Sequence, residues 1–301
     1  MLTASGPERK IRAYIELIRP KQWYKNLLLI VALVFSRNLS NYVLLSRVAL
    51  GFAIFCLLSG SMYALNDIWD REKDLNHPRK SRRPIPSGRI SLRSAEAYAA
   101  TLFAVGLIGA ATLGLQFFLL SLAYLVVTTS YTLALKRLVI IDALGLGAGF
   151  VIRAYAGAVA IDVRVSPWLT ICVFLLALVL AFGKRRHELA LLGEAAGLHR
   201  ESLDSYSVHL AEDLTLTSAA TLIMAYSMYT FLATSEWMML TIPFVIFGLF
   251  RFMFLTHGTK EGGEADILFS DLPSVANIVM WIMMSAIILY FAPASASSIG
   301  R

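Results

Sequence analysis

The segment YVLLSRVALGFAIFCLLSGSMYAL, Tyr42 to Leu65, runs without a break into NDIWDREKDLNHPRKSRRPIPSGR, Asn66 to Arg89. The first is as long as a helix must be to cross the hydrocarbon of a bilayer, about 20 mainly apolar residues. The second is a dense polar run set directly at its end. If the helix continues past Leu65, Asp67, Asp70 and Asp74 fall at i, i+3 and i+7 and share one face, with Asn66 beside them. Three carboxylates that close repel one another unless a cation lies between them, and hard oxygen donors suit Mg²⁺, which commonly shares its ligands with substrate phosphates. The sequence therefore points to Asn66, Asp67, Asp70 and Asp74 as metal ligands, and to the three acids as the centre of any chemistry. Arg71, Lys73, Arg79, Lys80, Arg82, Arg83, Arg89 and Arg93 follow or interleave, offering anionic oxygens a second set of partners. Pro84, Pro86 and Gly88 stiffen and turn the loop. A topological role alone, collecting Lys and Arg between spans, accounts for the basic residues equally well. It accounts less well for the spacing of the acids.

Composition sets the same scene. The chain has 301 residues, 57% of them hydrophobic and only 16% charged, with a mean hydropathy of +0.67. Those values place it in a bilayer, outside the range of soluble globular chains. The net charge of +7 lies mainly in loops beside apolar segments, where orientation against anionic lipid explains it and nucleic-acid binding is not expected. Cys56 and Cys172 each lie inside an apolar segment, so they read as small buried hydrophobes and not as a disulfide or metal pair. Arg9 to Pro20 alternates cations with Ile11, Tyr14, Ile15, Leu17 and Ile18, the pattern of an interfacial amphipathic helix, so residues 1–20 are expected to lie at the membrane surface.

Nine apolar segments are expected to span, at about 22–36, 42–65, 95–114, 116–135, 138–160, 166–183, 214–234, 237–256 and 274–292. The expected fold is an all-α polytopic membrane protein forming one transmembrane domain over 1–301. With the N-terminus inside, 22 of the 27 Lys and Arg fall on the cytoplasmic side or at its edge and four on the other, which decides the orientation. The loops 66–94, 184–213 and 257–273 then share the cytoplasmic face, so a single cytoplasmic site drawing on all three is expected, in a plasma membrane of bacterial type. Lys184, Arg185 and Glu188 lie within about one helical turn, and Glu264, Asp266 and Asp271 occupy the third loop.

Other polar residues near the spans are candidates because ionisable groups there are costly. Arg153 sits midway along the fifth segment, as part of a substrate pocket or as a structural partner for a neighbouring helix. Asp142, nearer that segment's end, reads as a cap. Gly145, Gly147, Gly149 and Gly157 read as close helix contacts. Lys21 and Lys25, at i and i+4, would present two ammonium groups to a lipid-borne phosphate, unless they only snorkel. Tyr63 and Tyr131, at cytoplasmic helix ends, are substrate contacts or members of an aromatic belt. His77 reads as a loop hydrogen-bonder.

Asn66, Asp67, Asp70 and Asp74 match the NDxxDxxxD signature of the UbiA superfamily of intramembrane prenyltransferases, and HPRKSRRPIPSG resembles that family's continuation. Within it, RPKQWYKN at Arg19–Asn26, GFVIRAYAG at Gly149–Gly157 and GKRRHEL at Gly183–Leu189 resemble the decaprenyl-phosphate phosphoribosyltransferases. That resemblance implies Mg²⁺-dependent transfer of 5-phosphoribose from phosphoribosyl pyrophosphate to a polyprenyl phosphate, on the way to an arabinose donor for the cell wall. The second acidic motif of ordinary prenyltransferases is replaced here by Lys184, Arg185, Arg186, His187 and Glu188, which suits a donor bearing an extra phosphate. Under the resemblance Lys21 and Lys25 steady the lipid phosphate. Lys80, Arg83, Lys184 and Arg185 hold the donor's phosphates, and Tyr63, Tyr131, Arg153, Glu188 and Asp271 line the substrate site. The rival reading is a conventional prenyltransferase acting on an isoprenoid diphosphate and a small acceptor. A transporter or scaffold is disfavoured by the absence of an evident internal repeat. A homo-oligomer is compatible with any of these.

Overall fold

The computed structural model describes residues 6–75, 80–193, 201–234, 236–258 and 267–291, and among them there is no strand. The N-terminal helix α1 (Gly6–Leu17) is followed by a 3₁₀ segment, Pro20–Leu27, and a short helix α2 (Leu28–Phe35). Then come α3 (Tyr42–Trp69), α4 (Arg71–Leu75), α5 (Leu92–Thr112), α6 (Leu115–Leu133) and α7 (Ile141–Ala160). The chain continues through α8 (Pro167–Leu192), α9 (Val208–Met228), α10 (Ile242–Gly258), α11 (Ile267–Ser270) and α12 (Leu272–Phe291).

Helix starts follow local chemistry. The Asn41 side chain accepts from the backbone N–H groups of Val43 and Leu44, Ser91 from Ser94, and Ser207 from Leu210, each satisfying donors that have no partner in the first turn. Pro167 opens α8, where its missing N–H costs nothing.

Among the described residues, seven helices are long and apolar enough to cross a membrane, against the nine segments expected. The two that fall short have physical reasons. The segment at 22–36 is half 3₁₀ and half α. The segment at 214–234 lies in α9, which starts early at Val208, includes Glu212 and Asp213, and passes into a π-turn over Tyr229–Thr234.

Contacts group the chain into two units. The first comprises residues 1–33, 38–132 and 152–163, the second 34–37, 133–151 and 164–301, and α7 contributes to both. In the first, α3 packs chiefly against α5. One face of α1 is buried there: Ala13 and Leu17 join Ala64, Ile85, Ile90, Ala95 and Ala99, while Ile11 and Ile15 are exposed. In the second unit α8 packs chiefly against α9 around Val179, Leu222 and Phe252.

Candidate active site

The acidic run begins on the last turn of a long apolar helix. α3 stops at Trp69, and Asp70, at φ −88° and ψ 6°, closes it; its N–H still bonds Asn66 O, and Asp74 N–H bonds Asp70 O, both at 2.9 Å, as the chain turns into α4. Across that turn Asp67 and Asp74, each 2% exposed, reach the same partner. One nitrogen of Arg83 bridges them, at 3.0 Å from Asp67 Oδ1 and 2.6 Å from Asp74 Oδ2. Arg19 donates to the same oxygen of Asp67, and its guanidinium stacks on Tyr63, 5.1 Å from the ring centre. Lys80 Nζ lies 4.0 Å from Asp74 Oδ1. Three cationic side chains therefore surround two buried carboxylates, a local excess of positive charge suited to an anion.

Arg19 reaches this place because it occupies the left-handed region (φ 50°) between α1 and the 3₁₀ segment, an uncommon conformation for a residue with a side chain. The loop is tied to α1 by a bidentate pair, Arg89 to Glu16 at 2.6 and 2.9 Å. Arg89 also donates to the Arg82 carbonyl.

The expected cluster of three acids needs correction. Among the described residues no three His, Cys, Asp or Glu side chains gather to hold a metal by themselves. Asp70 is half-buried at the end of α3 and is not one of the acids that Arg83 bridges, because the helix breaks at that residue. The donor set nevertheless suits a hard cation. It is all oxygen, and Asn66 Oδ1 is buried with no hydrogen-bond partner among the described residues, an acceptor whose desolvation is otherwise uncompensated.

Lys21 and Lys25 lie on the 3₁₀ segment and not on an α-helix. At about three residues per turn, i and i+4 diverge by roughly 120°, so the face they were expected to share does not form. Lys21 is exposed, and Lys25 rests 5.8 Å from the ring centre of Tyr24. Arg153 is buried and donates through Nε to Asn26 Oδ1 at 2.8 Å and through Nη2 to Tyr124 OH at 2.9 Å. Asn26 in turn reaches Ser59 and Cys56.

The second unit holds its own polar network. Arg185, 1% exposed, gives Nε to Asp142 Oδ2 at 2.9 Å and Nη1 to Glu188 Oε2 at 2.7 Å. Tyr206 OH donates to Asp142 Oδ1 at 2.9 Å while accepting from the Ile140 N–H at 2.7 Å. Burial, helped by the Asp142 charge, pushes its pKa up to about 12, so it stays a donor. Lys184 stands 4.0 Å from Glu188. Arg185, expected to hold phosphate, is thus compensated by two acids. Asp271 accepts from Arg251 at 3.0 and 2.7 Å and from the N–H and hydroxyl of Ser274, capping α12. Tyr131 is half-buried near the end of α6. His77, Arg79, Glu264 and Asp266 lie outside the described residues.

Sequence reasoning did not foresee Arg19 on Asp67, Arg251 on Asp271, or Tyr206 on Asp142. Each pairs residues from different helices or loops, and only the positive φ of Arg19 marks one of them locally.

Comparison with known proteins bears on all of this. The model of the UbiA prenyltransferase family matches residues 27–269. A decaprenyl-phosphate phosphoribosyltransferase of Mycolicibacterium smegmatis is 30% identical over 307 aligned residues, covering 96% of each chain. One from Mycobacterium tuberculosis is 29% identical over 284, covering 92% of this chain and 94% of its own. A UbiA homologue from Archaeoglobus fulgidus bound to GPP and Mg²⁺ superposes with a TM-score of 0.71 at 20% identity, covering 92% of this chain and 99% of that one, which establishes the fold. The chain is an integral membrane enzyme that belongs to the UbiA prenyltransferase family.

Proposed function

We propose that this protein transfers 5-phosphoribose from phosphoribosyl pyrophosphate to a polyprenyl phosphate, releasing pyrophosphate on the cytoplasmic side, for synthesis of a cell-wall arabinan precursor. The observation that carries this reading is the buried pair Asp67 and Asp74 set among Arg19, Lys80 and Arg83. It is supported by the names of relatives aligned over nearly the whole chain.

Asp67 and Asp74, with Asn66 and Asp70 beside them in sequence, would hold Mg²⁺, which when bound would neutralise charge on the leaving pyrophosphate. The chain's residues do the rest. Arg83 and Lys80 bind the donor's phosphate oxygens, Arg83 through a fork that matches them in geometry. Arg19, held over Tyr63, donates to Asp67 and aims its carboxylate. An oxygen of the lipid phosphate, with Lys21 or Lys25 beside it, forms the new bond to the ribose anomeric carbon. The bond from that carbon to pyrophosphate breaks, and the leaving group takes the electron pair. The nucleophile is already an anion, so no side chain has to remove a proton. Placement and electrostatics carry the barrier reduction.

A second reading has its own support: the family model is that of prenyltransferases, and the Archaeoglobus homologue binds GPP. The two are separated by donor. Purified protein is incubated with labelled phosphoribosyl pyrophosphate plus decaprenyl phosphate, and separately with a labelled prenyl diphosphate plus aromatic acids. Label in the phosphorylated lipid from the first mixture alone supports phosphoribosyl transfer; label only from the second overturns it.

A further inference from the structure

We propose that Arg83 and a divalent cation compete for the same carboxylate oxygens, so that Arg83 is an exchangeable counter-cation which leaves Asp67 and Asp74 for a phosphate oxygen as the metal takes its place. The inference rests on the metal reading above and adds a rule for how the site loads.

The geometry forces the competition. Arg83 Nη1 is 3.0 Å from Asp67 Oδ1 and 2.6 Å from Asp74 Oδ2. Mg²⁺ binds oxygen at about 2.0–2.1 Å. A cation held by those two oxygens on the side that Arg83 occupies would overlap the nitrogen, excluded by both size and charge. The two occupants cannot hold that bridge together.

Between the two acids and the guanidinium that bridges them, Arg83 is the group that reaches solvent. Asp67 and Asp74 side chains are 3% exposed, whereas that of Arg83 is 29% exposed. Its backbone is fixed: Arg83 N–H bonds Lys80 O at 2.9 Å, and Arg83 O accepts from the Ser87 N–H at 3.0 Å and the Ser87 hydroxyl at 2.6 Å. Exchange therefore needs rotation of one side chain and no movement of the loop. Arg19 also donates to Asp67 and Lys80 lies near Asp74, so each acid has a second cationic neighbour besides Arg83. Asn66, next to Asp67 in the chain, keeps a buried oxygen with no hydrogen-bond partner among the described residues, a donor that Arg83 does not use.

The test is Mn²⁺ binding to the purified full-length protein, read by electron paramagnetic resonance without any donor. Arg83→Gln removes the competitor but leaves the oxygens, and is expected to bind Mn²⁺ at least tenfold more tightly than the unaltered protein. Arg83→Lys, which keeps the charge but cannot present the same fork, is expected to fall between them and serves if the glutamine variant does not fold. The Asp67→Asn, Asp74→Asn double variant is expected to lose the site. Equal or weaker binding by both Arg83 variants, at a site still abolished by the double variant, overturns the competition and leaves the metal assignment standing. Binding that survives the double variant, or none in any form, overturns the metal assignment and the competition with it.

Discussion

At the scale of single residues, Arg153 shows what a charged group inside an apolar unit demands. Its guanidinium is buried, and the partners that orient it, Asn26 and Tyr124, come from the 3₁₀ segment and α6. Replacing Arg153 by Met leaves Asn26 Oδ1 and Tyr124 OH each short of a donor in a buried place, where an unsatisfied group costs about 1–3 kcal/mol. Thermal unfolding of the detergent-solubilised variant should show a loss on that order. Arg153→Lys should not restore it, because an ammonium cannot reproduce two donors in the fixed planar arrangement of a guanidinium. For the acids the expected loss is of activity: Asp67→Asn should lower phosphoribosyl transfer by about 10²-fold or more, on the order of the effect of removing one preorganised electrostatic contact. Which of these residues were legible in the sequence follows from their separation along the chain. Asp67, Asp74 and Arg83 lie within 17 positions and were visible as one polar run. Asn26 with Arg153 is a pairing across 127 positions, and Arg185 with Asp142 across 43; both are products of helix packing, and no local pattern announces them.

At the scale of elements, two glycines expected as close contacts separate by what they touch. A Cβ on Gly157 would lie 2.1 Å from the backbone oxygen of Leu29, whereas one on Gly147 would meet the Phe174 ring at 2.6 Å. A ring can swing and a helix backbone cannot. Gly157→Ala should therefore force α7 from α2 at a cost of about 3 kcal/mol or more, with Gly147→Ala nearer 1 kcal/mol, compared by thermal midpoint. Helix α12 offers a pH test. The hydrogen bonds from Arg251, then those from Ser274, hold the Asp271 carboxyl well below the usual carboxylate range. A depressed folded pKa gives stability that is fully present above the unfolded value of about 3.9 and is lost as pH falls towards the folded one. The midpoint difference between the unaltered protein and Asp271→Asn should be flat from pH 7 to 5 and narrow below about 4. The elements themselves were legible wherever an apolar run was long. The 3₁₀ segment at Pro20–Leu27 was not, because α and 3₁₀ turns draw on the same residues and the shared face of Lys21 and Lys25 presupposed 3.6 residues per turn.

At the scale of the whole molecule, the all-α membrane fold was legible because hydropathy and charge placement act along the entire chain. The orientation drawn from them makes a prediction that neither packing nor family membership decides. If the N-terminus is inside, residues 37–41 and 161–166 face outward, while 66–94 and 134–140 face the cytoplasm. The two native cysteines are buried, so a membrane-impermeant maleimide should find little background in the unaltered protein. Single substitutions at exposed positions then report each side: Ser40→Cys and Arg164→Cys for the outer face, Arg93→Cys and Ala134→Cys for the inner. In intact cells the first pair should label and the second should not; in inverted vesicles the pattern should reverse. Labelling of Arg93→Cys from outside would turn the Asp67 site away from the cytoplasm, where a phosphorylated, membrane-impermeant sugar donor is made. It would count against phosphoribosyl transfer even if the metal site stood. The reverse result ties the charge asymmetry of the loops to the side from which the donor must come, and makes the excess of Lys and Arg serve both insertion and substrate capture.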